Sequence, residues 1–308
     1  MLRLMLFTLG GCVRWPSPAP PGAPRCGAVR ACSPTEDMPT VYTPFLESMF
    51  AIFTEYGIEL EPYPVAEELR QRSVTSGSAA KPRNVELSLQ AHRSAKLRHI
   101  RAAHIQGGDG LQVLNICLFP HLEFALPTFS ADLVTLPGGH LIAIDCQPND
   151  PSAPPDTDSD RLARLYTEHR QRLPDGGPVA DETARFFSDN FLWSRLPLSC
   201  STAELQALVL PAFESYLRSY LQSAEEAQPA ADAATLARVH TRQLEYADYR
   251  IEKDPARAML QRLFGDEYSE RLIREALFDL PRVLAAERRG DLSLGSYVGT
   301  PAAAPAPA

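Results

Sequence analysis

Two acidic residues stand where proton chemistry is plausible. Asp132 lies in FSADLV, within a stretch that is otherwise strongly apolar. A carboxyl held in an apolar pocket is desolvated, its pKa rises, and it becomes a competent proton donor near neutral pH. The plainer alternative is an aspartate at a strand entry bonding nearby backbone. Asp254 opens DPARAMLQRLF, where Asp followed by Pro reads as a helix start. Arg250, four residues earlier, offers a second use: a guanidinium that holds a ligand carboxylate or tunes the acid. Both readings of Asp254 can hold together. Asn115 completes the polar set, placed on a strand where an unpaired amide is costly unless it is bonded or used.

The stretch that must position these groups is 111–148, LQVLNICLFPHLEFALPTFSADLVTLPGGHLIAIDCQP. It divides into strands over 111–119, 129–136 and 140–146, with Pro137-Gly138-Gly139 as a hairpin turn. Leu111, Val113, Asn115, Cys117 and Phe119 share one face, and Gln112, Leu114, Ile116 and Leu118 the other. Both faces are mostly apolar, so the sheet needs cover on both sides. Helical spacing appears over 40–57, 161–173, 203–228 and 231–253, then from Pro255 through Leu263 and over 269–280. Residues 73–82 read as a Ser/Gly/Ala loop, and Val85, Leu87 and Leu89 alternate like an edge strand. Phe186, Phe187, Phe191, Leu192 and Trp193 form an aromatic patch, first of all core and secondarily a stacking wall for a flat ligand. Strands in the first half and helices in the second predict an α+β fold, a sheet sandwiched by helices.

The ends differ from the middle. Residues 1–33 carry Arg3, Arg14, Arg25 and Arg30 and no acid, with half of the six cysteines, and read as a targeting leader. Residues 283–308 decay into a Pro/Ala tail expected to be disordered. Setting the leader aside leaves 26 Lys+Arg against 38 Asp+Glu, near −12, which disfavours nucleic acid. No apolar run has the roughly 20 residues a membrane span needs. Cys117, Cys146 and Cys200 make no CxxC and no metal-ligand spacing, and no P-loop, GxGxxG, HExxH or GxSxG is present. Residues 92–104 are the densest positive stretch in an acidic chain: a solvated face, or a dock for an acidic protein.

Three blocks together carry a resemblance: FPHLEFALPTFSADLVTLPGGHLIAIDCQP, RLPDGGPVADETARFFSDNFLWSRLPL and ADYRIEKDPARAMLQRLFGDEYSERLIREALFDL. In this order, over roughly residues 85–280, they resemble the ferredoxin-dependent bilin reductases. The resemblance implies a three-layer α/β/α sandwich with a central antiparallel sheet, spanning residues 34–282 between leader and tail. An open-chain tetrapyrrole is then held between the sheet and the C-terminal helices, and no metal, flavin or other bound cofactor is used. Asn115 together with Asp132 is similar to the phycoerythrobilin-forming branch. Ser130 stands where a glycine is usual and Cys146 where a leucine is usual.

That branch implies reduction of the A-ring diene of 15,16-dihydrobiliverdin to phycoerythrobilin, one electron at a time from reduced ferredoxin, through radical intermediates. The resemblance assigns Asp132 and Asp254 to proton supply, Arg250 to a propionate or to Asp254, and Asn115 to the pyrrole nitrogens or lactam oxygen. Ferredoxin docks, on this reading, through Arg93, Lys96, Arg98 and Arg101. Residues 1–33 become a plastid transit peptide leading to the chloroplast stroma. The expected state is a monomer, with substrate supplied by a preceding bilin reductase. Two rivals remain: reduction of biliverdin at the 15,16 bond or at both positions, and a non-catalytic bilin carrier.

Overall fold

Alternation of apolar side chains in 111–147 produces the three expected strands at the heart of a larger sheet. The computed structural model describes residues 41–78, 81–153 and 157–289, so residues 1–33 and most of the expected tail lie outside it. The strands are β1 (Glu61–Pro62), β2 (Gln71–Ser78), β3 (Lys81–Arg93), β4 (Leu97–Gln106), β5 (Gln112–Pro120), β6 (Thr128–Leu136), β7 (Gly139–Gln147) and β8 (Leu192–Leu196). They form one antiparallel sheet of eight, ordered β1-β3-β4-β5-β6-β7-β8, with β2 paired to the other half of β3. The helices are α1 (Thr43–Glu55), α2 (Glu67–Arg70), α3 (Thr157–Arg170), α4 (Asp181–Ala184), α5 (Thr202–Glu226), α6 (Ala233–Lys253), α7 (Arg257–Phe264) and α8 (Asp266–Arg271). A π-helix (Leu272–Leu277) and α9 (Leu280–Arg288) follow.

The period-two pattern of β5 divides its side chains between two cores. Leu114, Ile116 and Leu118 join Phe45, Phe53, Phe129 and Phe213 under α1, α3 and α5. Val113, Cys117 and Phe119 join Tyr246, Ile251, Leu260, Ile273 and Val283 under the C-terminal helices. The result is the expected α/β/α sandwich. Each phenylalanine so enclosed contributes roughly 1.5–3 kcal/mol relative to exposure. Helix α5 begins at a reciprocal capping box between Ser201 and Glu204, and α6 at Asp232, whose side chain accepts from the Thr235 N–H at 2.8 Å. The β6–β7 hairpin turns at Pro137-Gly138. Gly139 follows with φ +128°, and a Cβ there would stand 2.5 Å from the Leu196 carbonyl oxygen, so only glycine fits.

Four expectations require correction. Residues 71–78 form strand β2, because pairing with β3 stabilises a Ser/Thr/Gly segment that has little to bury. That makes β2 the edge over this stretch and puts β3 between two neighbours. The chain stays helical to Arg288 instead of decaying from 283, since Val283 and Ala286 are fully enclosed and Leu284 is buried. Arg98 and Arg101 do not belong to a docking face. Leu97 pairs Pro120 whereas His99 pairs Phe119, and this bulge turns Arg98 and His99 both inward. Arg98 and Arg101 are 1 % and 0 % exposed and cannot meet a partner; Arg93 pairs with Glu61, and Lys96 donates to the carbonyls of Glu225 and Ala227.

Candidate active site

Asn115 and Asp132 are register partners, and the same row runs Ala103, Asn115, Asp132, Ala143, Trp193 across β4 to β8. Side chains in one such row share a face, here the face under α6. Along it Asn115, Ser130, Asp132, Val134, Leu141 and Ala143 are part-exposed, while their neighbours on the opposite face are buried. A sheet covered on both sides therefore carries a solvent-reachable floor beneath its C-terminal helices. That is the signature of a slot.

Asp132 stands on this floor. Water reaches it, yet protein surrounds it, and burial pushes its carboxyl pKa up. The Arg250 guanidinium opposes that rise, Asp254 adds to it, and the neighbouring Asn115 amide and the charge of Arg101 oppose it. Groups from β4, β5, β6 and α6 thus act on one another's charge. Arg250 and Asp254 project from the end of α6. Asp254 caps that helix at the wrong end for a carboxylate, and two bonds offset this: Arg250 Nη2 donates to its Oδ2 at 2.9 Å and the Ala256 N–H to its Oδ1 at 2.8 Å. Burial works against the charged guanidinium of Arg250, and the adjacent Asp254 carboxylate outweighs it. Asp254 both shapes the Asp-Pro turn ahead of α7 and forms the ion pair. The structure brings all four expected site residues close enough that Arg250, Asp254 and Asn115 each act on the Asp132 carboxyl.

The aromatic patch divides. Leu192 faces the other core and Phe186 is enclosed, whereas Phe187 and Phe191 stack at 3.9 Å and Trp193 lies parallel beyond them at 6.2 Å. Trp193, in the same row as Asp132, closes the β8 end of the floor.

Several residues that matter were not expected. Arg101 lies beneath Asn115: its Nη1 donates to Asn115 Oδ1 at 2.5 Å and its Nε to the Leu277 carbonyl at 2.9 Å. The Phe278 ring lies against the guanidinia of both Arg101 and Arg250, at 5.0 and 5.1 Å. Next to it, Asp279 accepts from Tyr63 Oη at 2.5 Å and from Arg98 Nη1 at 3.1 Å, in a fully buried cluster with His99 stacked on Tyr63. Asp145, also buried, accepts both the N–H and the hydroxyl of Ser188, and so ties down the loop that bears Phe187 and Phe191. The one signal in the sequence was the spacing of Leu97, Ile100 and Ala102, which breaks alternation at the bulge.

A family model described as ferredoxin-dependent bilin reductase matches residues 51–279. This chain belongs to that family. The reductase is 43 % identical over 247 residues to the phycoerythrobilin:ferredoxin oxidoreductase of Nostoc punctiforme, covering 80 % of this chain and 95 % of the relative. It is 44 % identical to the protein of that name from Gloeobacter violaceus, covering 81 % and 100 %. Among solved structures it is similar to tomato phytochromobilin synthase in complex with biliverdin, at 27 % identity and a TM-score of 0.66, covering 77 % and 83 %. The bilin reductase is accordingly an oxidoreductase with ferredoxin as its electron donor.

Proposed function

We propose that this bilin reductase converts 15,16-dihydrobiliverdin to phycoerythrobilin by reducing the A-ring diene. The observation that carries the reading is the pairing of Asn115 with Asp132 on the exposed floor, with Arg250 and Asp254 opposite. The names of the cyanobacterial relatives support the product. Each reduction adds electrons one at a time from ferredoxin and takes up protons to match, through bilin radicals. The bilin is itself the redox group, so the protein's part is to position it and supply protons. Asp132, whose carboxyl pKa is raised by burial, gives its proton from the sheet side. Asp254 gives one from the helix side. Arg250 binds a propionate while holding Asp254, and Asn115 bonds the pyrrole nitrogens or lactam oxygen. Arg93 and Lys96 are the members of the expected ferredoxin patch that remain part-exposed. Residues 1–33 direct the chain to a plastid, where a preceding bilin reductase supplies the substrate; a fluorescent fusion of that leader tests the address.

The test is to mix the protein with biliverdin and, separately, with 15,16-dihydrobiliverdin, then add reduced ferredoxin without oxygen and follow absorbance. Phycoerythrobilin from dihydrobiliverdin alone supports the reading. Product from biliverdin would place the chain among reductases of the 15,16 bond or of both positions. A spectral shift on binding with no further change would make it a carrier.

A further inference from the structure

We propose that Arg101 is a positioning residue for proton transfer: its guanidinium fixes the Asn115 amide so that the amide N–H points at Asp132. The inference rests on the reading above, in which Asp132 gives its proton to the bound bilin.

Hydrogen-bond chemistry alone decides the amide's orientation. A guanidinium only donates. Arg101 Nη1 lies 2.5 Å from Asn115 Oδ1, so that oxygen is the acceptor and the amide nitrogen is left for the other neighbour. The other neighbour is Asp132, the register partner of Asn115 across the β5–β6 ladder. A free asparagine can rotate its amide end for end and present either group; this one cannot without setting its nitrogen against a cation. Arg101 in turn has little freedom. It is fully buried, its Nε bonds the Leu277 carbonyl at the end of the π-helix, its Nη2 approaches Cys117 Sγ at 3.2 Å, and the Phe278 ring covers it. A π-helix leaves its last carbonyls displaced from the ordinary ladder, and such turns recur at functional sites. Here that displaced carbonyl anchors the guanidinium.

The consequence concerns the state after transfer. When the Asp132 proton passes to a carbon of the reduced bilin, a carboxylate remains on a desolvated floor. The aimed N–H and the fixed positive charge behind it stabilise that carboxylate before solvent returns a proton. Other charged or titratable groups bearing on Asp132 are Arg250 and Asp254 from the end of α6, Cys117 from β5 and Tyr42 through the sheet. Of these, none touches Asn115 as Arg101 does.

The test compares wild type with Arg101→Gln, Arg101→Lys and Asn115→Ala. In anaerobic turnover of 15,16-dihydrobiliverdin, Arg101→Gln should lower kcat about tenfold or more, with KM for the bilin within about twofold, as for one lost contribution to general acid catalysis. The basic limb of its kcat–pH profile should move upward, because a nearby cation and an aimed N–H both favour the ionised acid. Arg101→Lys should return the limb toward wild type without restoring the full rate. Independently of turnover, the carbonyl stretch of protonated Asp132 should persist to higher pH in ligand-free Arg101→Gln than in wild type. An unmoved limb and an unmoved infrared titration in a folded variant would overturn the proposal. Should Arg101→Gln fail to fold, Asn115→Ala must show the same upward infrared shift, and its absence overturns the proposal equally. Absence of turnover in wild type with the infrared shift intact would contradict the functional reading instead.

Discussion

Asn115 and Asp132 face each other across the β5–β6 ladder, an amide against a carboxyl on a floor that also carries Val134, Leu141 and Ala143. Two polar partners in such a place stabilise each other, where either alone would cost of the order of 1–3 kcal/mol. The same pairing leaves the carboxyl reachable from the slot.

Arg250 holds Asp254 at 2.9 Å and lies over Phe278, and its side chain is part-exposed. A charge-assisted bond to a propionate is worth about 1.5–3 kcal/mol. Arg250→Gln should therefore weaken bilin binding roughly 10- to 100-fold, measured by absorbance titration of the protein with bilin in the absence of ferredoxin. Unchanged affinity would remove Arg250 from the binding site.

Asp145 makes stability depend on pH with a definite sign. Burial pushes its carboxyl up to about 7, despite the two bonds from Ser188. The folded protein thus holds a proton that the unfolded chain releases near pH 4. Stability falls as pH rises across that window, by at most about 1.4 kcal/mol per unit. Asp145→Asn should flatten that part of the profile, with urea unfolding from pH 4 to 7 as the check. An unaltered slope in the variant would mean that Asp145 is ionised throughout.

Asp279 behaves in the opposite way. Burial works to raise its pKa, and Arg98 and His99 outweigh it and hold the carboxyl far below the usual range. Its contribution to stability is complete above about pH 4 and is lost as pH falls toward the depressed folded value. Arg98→Gln leaves that carboxylate buried without its charge partner, and should cost about 3–5 kcal/mol by urea unfolding. Because Arg98 is enclosed, KM for ferredoxin should stay unchanged in the protein that remains folded. A raised KM with unaltered stability would restore Arg98 to a docking role.

The sheet centre was legible because its strands keep a local period, and the positions of the four candidate residues were legible as local signals against it. Asn115 and Asp132 break an alternating apolar pattern, and Arg250 and Asp254 lie one helical turn apart beside a proline. Arg98, His99 and Arg101 were misread because a bulge sets consecutive residues on one side, which no fixed period reports. Strand β2 was missed for another reason: its Ser, Thr and Gly side chains are held by backbone pairing with β3. Asp279 and Asp145 find their partners some 181 and 43 residues away in the chain, contacts that spacing does not reveal.

The most direct test of the central claim, that Asp132 and Asp254 protonate a bilin from opposite sides of the slot, is anaerobic ferredoxin-driven turnover of Asp132→Asn and Asp254→Asn. Each is followed by product yield and by electron paramagnetic resonance. General acid catalysis is worth about 10²–10⁴-fold, so each variant should bind bilin, accept an electron, accumulate a bilin radical and yield little phycoerythrobilin. Full product yield from both variants would contradict the account.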